Sequence, residues 1–222
     1  MRARQHSTLL GVGVLTTALL TGCAGDPWDA PNPEPSAVGA LGSGFLEPST
    51  TPTPEATVVP EAGSWDDVRP SRGYRVVLLH AGDDPATSTV TAAVEQWAQD
   101  EDVDLRTVDA DEDGDLVAGI VRALELAPDL VVTAGNALVD PLAVVSANHL
   151  DQDFLVVGAE VGEPTYNVTA VSWTGASFRG TGNGAASEYD AGSFTPERCA
   201  AAVRAGAAAV LHDLTGIVLW ID

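Results

Sequence analysis

The run Asp109-Ala110-Asp111-Glu112-Asp113-Gly114-Asp115 reproduces the opening of a calcium-binding loop, D-x-D-x-D-G. A complete loop of that kind supplies a bidentate glutamate at its twelfth position, and here that position is Ile120. The segment is therefore expected to be a solvated turn, with Asp113 or Asp115 capping a following helix. His80, His149 and His212 lie far apart, with no partner at helical spacing and no neighbouring cysteine, so no metal site is expected. Cys199 stands alone among alanines and reads as a small buried hydrophobe. The glycines of Gly180-Thr181-Gly182-Asn183-Gly184 suggest a phosphate loop, but no lysine exists to reach a phosphate, and a flexible linker is expected. Ser172-Trp173 and Phe178 could stack on a flat ligand, with core packing as the stronger expectation. No G-x-S-x-G elbow occurs, and no nucleophile–base pair is evident. The expectation is a binding protein without cofactor or catalytic site.

Charge narrows the partners. The 222 residues carry 32 acidic and 10 basic side chains, and every basic residue is arginine. Such a chain lacks the cationic surface that nucleic acid requires, and it has no polybasic patch for anionic lipid. With 45% hydrophobic residues it can still fill a core.

The elements that would position any site alternate regularly. Apolar runs at 74–80, 103–108, 129–134, 154–158, 168–173 and 217–221 read as strands. Helical spacing marks helices from Asp84 or Thr87 to about 100, over 116–126, from Ala137 or Asp140 to about 149, and from the Thr195-Pro196 start to about 213. Continuous apolar strands between helices imply an α/β fold: a doubly wound, mostly parallel sheet in a three-layer sandwich. Ligands of such folds bind at the carboxyl ends of the strands, near the point where strand order reverses. That rule nominates His80, Gly82, Asp83 and Asp84 after the first strand, Gly135 and Asn136 after the third, and Glu160 after the fourth.

Ahead of the fold, residues 1–22 read as a secretion signal. Arg2 and Arg4 precede an apolar run over 9–20 that is too short to be a good membrane span. Leu20-Thr21-Gly22-Cys23 resembles the bacterial lipobox, which implies lipidation of Cys23 and a chain held on the outer face of the cytoplasmic membrane. Residues 23–73 hold nine of the fourteen prolines and read as a disordered, semi-extended tether. Residues 74–222 are expected to form one domain.

The stretch from Tyr74 to Gly180 resembles the first lobe of the basic membrane protein family, the purine-nucleoside-binding lipoproteins of ABC importers. The matching residues are Asp129-Leu130-Val131-Val132 with Gly135, Asp153-Phe154-Leu155, Asn167-Val168, and Ser177-Phe178-Arg179-Gly180. The resemblance implies a type I periplasmic-binding-protein lobe, a small neutral nucleoside-like solute and a permease partner. It also has departures. Where the family carries D-x-G-x-x-x-D-x-S-F-N, this chain reads His80-Ala81-Gly82-Asp83-Asp84-Pro85-Ala86-Thr87-Ser88, matching at Gly82 and Asp84. A complete binding protein closes two lobes on its solute, and residues 74–222 supply one. A second copy of the chain or another partner would have to provide the other wall. The alternative is a single-lobe surface sensor or protein-interaction module with no role in transport.

Overall fold

Leu130, Val131 and Val132 are consecutive and fully buried. Side chains alternate across a strand, so both faces of this one are covered. A computed structural model describes residues 26, 28, 30–111, 114–178 and 188–221. Its elements in chain order are β1 (Ala37–Val38), β2 (Thr57–Val58), β3 (Arg69–Pro70), β4 (Arg75–His80), α1 (Pro85–Asp100), β5 (Asp104–Asp109), α2 (Leu116–Glu125), β6 (Leu130–Ala134), α3 (Val139–Ser146), β7 (Asp153–Val157), β8 (Ala159–Glu160), β9 (Val168–Ser172), β10 (Ser177–Phe178), α4 (Pro196–Leu211) and β11 (Val218–Trp220).

Seven strands form one parallel sheet in the order β2-β11-β9-β7-β6-β4-β5. β4 lies between β5 and β6. The chain builds outward to β5, returns past β4 to β6, and continues to the other side, so strand order reverses between β4 and β6. The result is the expected α/β fold with a doubly wound parallel sheet. Val76 and Leu78 of β4 face a core shared with α1 and α4, while Val77 and Leu79 face one shared with α2 and α3. Each fully buried Leu or Val contributes ~1.5–3 kcal/mol. Val90, Val94 and Trp97 form the buried stripe of α1. The alanines of α4 let it lie close to the sheet: a Cβ on Gly206 would stand 2.4 Å from a methyl of Leu155.

Two ends fall earlier than expected. α3 stops at Ser146 because the amides of Asn148 and His149 bond back to the Val145 and Ser146 carbonyls as turns. The side-chain nitrogen of buried Asn167 reaches the carbonyls of Ser146 (3.3 Å), His149 (2.9 Å) and Gln152 (2.8 Å), which ties that turn to the sheet. α4 stops at Leu211, just before Asp213 adopts a positive φ of 57°.

The described part of the expected tether does not stand clear of the domain. Phe45, Trp65 and Val68 are buried in the α1/α4-side core. β2 adds to β11 as the seventh strand of the sheet, and β1 pairs with β3. Proline removes an amide donor, but it also restricts the unfolded chain, so an extended proline-rich segment loses little entropy when it lies down. The two-residue strands β1 and β2 fit between the prolines, β3 ends on Pro70, and three buried apolar side chains hold the segment. The expected signal segment 1–22, Cys23 and the glycine-rich 180–184 lie outside the described residues, as do Glu112 and Asp113.

Candidate functional site

The two loops at the reversal point press directly on each other. Gly135 has φ 114°, and a Cβ there would stand 2.3 Å from the carbonyl oxygen of Ala81. No side chain fits that position, and the approach brings the start of α1 beside the β6 loop. Asp84 caps α1: one carboxylate oxygen accepts from the amides of Ala86 (3.0 Å) and Thr87 (3.2 Å), the other from the Thr87 hydroxyl (2.6 Å). Burial alone would push its carboxyl up, and these hydrogen bonds outweigh that, holding it below the usual range. Asp84 thus spends its oxygens on the helix. Asn136 is exposed at the rim.

Asp84, Gly135 and Asn136 line one cleft, with Val90 of α1, the 157–159 stretch after β7, and two aromatic residues, Tyr189 and Phe194. Its volume is about 30 Å³, room for no more than a water or two. Phe194 forms one of its walls. Its ring meets that of Trp173 edge-on at 4.9 Å and that of Tyr189 at 5.9 Å. Gly158, with φ 76°, leaves room for it, since a Cβ there would lie 2.4 Å from the Phe194 ring. The segment is fastened below. The indole of Trp173 donates to the Ser193 hydroxyl at 2.9 Å, and Arg198 donates to the Ser193 carbonyl at 2.8 Å. Burial, then the charges of Asp84 and Asp190, push the Tyr189 phenol up.

The other nominated residues do not line this cleft. Gly82 and Asp83 lie on the neighbouring loop, Gly82 with φ 87°. Half-buried His80 ends β4 opposite Asp109. Asp109 and Asp111 share a hydrogen bond that holds Asp109 below the carboxylate range and pushes Asp111 up. Asp115 caps α2 through bonds from the amides of Val117 and Ala118, so the described part of the calcium-like run is a turn and a cap. Among the described residues no three His, Cys, Asp or Glu side chains gather as a metal site. Glu160 is 9% exposed in β8, its carboxyl pushed up by burial and partly restored by a hydrogen bond with Ser172. Cys199 is buried in α4, and burial raises its thiol to about 11, so it stays protonated at neutral pH.

Sequence reasoning missed Tyr189 and Phe194. A signal existed: in an alternating fold every helix begins at the carboxyl edge, so residues just before the Thr195-Pro196 start belong there.

No family model matches the chain, and no curated protein sequence matches it. Parts of the fold are similar to solved structures. One is a solute-binding protein of an ABC transporter system from Aeropyrum pernix K1: 19% identity, covering 46% of this chain and 29% of that one, TM-score 0.37. Another is an ABC transporter solute-binding protein from Conexibacter woesei DSM 14684: 18% identity, 45% and 35%, TM-score 0.34. A third is a transcriptional activator of the comK gene from Bacillus halodurans: 18% identity, 45% and 35%, TM-score 0.38. The chain matches only about a third of the length of each of these three proteins.

Proposed function

We propose that the chain is an extracytoplasmic binding lobe, anchored through Cys23, that takes a small neutral solute of nucleoside type and serves the permease of an ABC importer. The role is binding without chemical turnover. The observation that carries it is the coincidence of three things at the strand-order reversal: the Gly135–Ala81 contact, the start of α1, and the aromatic faces of Tyr189 and Phe194. Carboxyl edges at such points are where open α/β sheets hold ligands, and aromatic faces suit a flat base. The carboxylates around this edge disfavour a polyphosphate.

A drug-sized or nucleoside-sized ligand fills roughly 300 Å³ or more. The solute must therefore displace Phe194 and Tyr189. Titration of the full mature chain with adenosine, guanosine and inosine by calorimetry tests this. Heat that saturates supports the reading, and its absence at ligand concentrations on the order of hundreds of micromolar refutes it. The closed cleft favours one second reading, a single-lobe sensor or interaction module with no solute. That reading predicts no heat with any nucleoside.

A further inference from the structure

The described chain is in contact with the domain from Asp26 onward, three positions beyond Cys23. Asp26 pairs with Arg106 of β5. The Trp28 ring lies 4.5 Å from the guanidinium of Arg106 and 5.5 Å from that of Arg75. Arg75 also donates to the Ala30 carbonyl at 2.6 Å, and Asn32 donates to Asp129 at 2.7 Å. Arg75 opens β4, Asp129 immediately precedes β6, and Arg106 lies in the first half of β5. These contacts therefore cluster toward the amino ends of the strands. From there the segment continues to the far edge of the sheet, where β2 joins β11.

The three Cα–Cα steps from Cys23 to Asp26 span at most ~11 Å when fully extended. The residues that read as a spacer are used in covering the domain and leave little reach between Cys23 and the fold. Arg69, Arg72, Arg75 and Arg106 lie toward the amino end, where Asp26, Glu101, Asp102, Asp104, Asp129 and Asp153 outnumber them. The carboxyl end gathers Asp83, Asp84, Asp109, Asp111 and Asp115 in the loops after β4 and β5. Both ends therefore carry an excess of carboxylates, and the short link, not charge, sets the orientation.

The geometry points to a membrane-facing surface. The mature protein sits with the amino ends of its sheet against the outer leaflet and its candidate cleft turned away, on a link of two residues and not on a long spacer. This rests on the proposed anchoring through Cys23. The strands raise the cleft ~20 Å above the amino end.

The test uses the lipidated full chain in phosphatidylcholine–phosphatidylglycerol vesicles carrying a headgroup energy acceptor. A donor dye is attached to Arg72→Cys, a side chain 92% exposed at the amino end, or to Ala137→Cys, exposed at the carboxyl end. Buried, protonated Cys199 stays unlabelled. Transfer from position 72 is expected to exceed that from position 137 several-fold. Equal transfer from both, or more from 137, overturns the orientation while leaving the anchor intact. Mass analysis of the mature amino terminus, with Cys23→Ala as control, reads the anchor separately. An unlipidated Cys23 overturns both the anchoring and the orientation that rests on it.

Discussion

Phe45 is 1% exposed, although it lies in the proline-rich segment that composition assigns to a tether. It packs into the core that α1 and α4 share with the sheet. Phe45→Ala would remove most of that contact. Burial of a phenylalanine in a well-packed core makes such a truncation cost ~3–5 kcal/mol. Phe45 also lines a surface cleft of about 560 Å³ with Pro48, Pro52 and Val58, so water can enter part of the space it leaves. The lower end, ~3 kcal/mol, is therefore the expectation. For a domain of this size each kcal/mol moves Tm by ~2–4 °C, so Tm should fall by ~6–12 °C. Thermal and urea unfolding of the full mature chain, followed by circular dichroism, reads both quantities. Val59→Ala, at a side chain 65% exposed in the same segment, should stay within ~0.5 kcal/mol of the parent. Were Phe45→Ala equally silent, the segment would be a free tether and the packing argument would fail.

Three further outcomes are expected. Asn167→Ala removes the donor that ties the α3–β7 turn and should cost ~2–3 kcal/mol in urea unfolding; an unchanged midpoint would count against the clamp. Gly135→Ala meets both a positive φ and the Ala81 carbonyl, so a loss of at least ~2 kcal/mol is expected, with parental stability as the contrary result. Asp153 has its carboxyl raised to about 6, first by burial and then by the charge of Asp213. The folded state holds this proton more tightly than the unfolded chain, so the group lowers stability as pH rises from ~4 to ~6. Asp153→Asn should stabilise by an amount on the order of 1–2 kcal/mol at pH 7 and by nothing below pH ~4, and a pH-independent difference would refute the assignment.

The helices and the long strands were readable because each carries its own signal. Thr195 followed by Pro196 marks the start of α4 at the residue observed, and Leu130-Val131-Val132 announces a strand covered on both faces. The site was readable in part. The rule of carboxyl ends found Asp84, Gly135 and Asn136, which do meet in one cleft. It also nominated Glu160 and His80, whose side chains face other neighbours. Strand order tells which loop a residue occupies but not which way its side chain turns. Asp84 shows the same limit, because a carboxylate at a helix start serves the helix before any ligand.

By itself the sequence determined the periodicities: apolar runs, helix caps and the alternation that makes a parallel sheet covered on both faces the stable solution. Those signals are local, set by the preferences of neighbouring residues. Tertiary structure alone decided that the proline-rich segment closes the sheet with β2, that Phe194 walls the cleft, and that α4 approaches β7 closely enough to need Gly206. Each of these joins residues distant along the chain. Their energies come from surfaces that do not exist until the sheet has formed, so no pattern within a single segment could encode them.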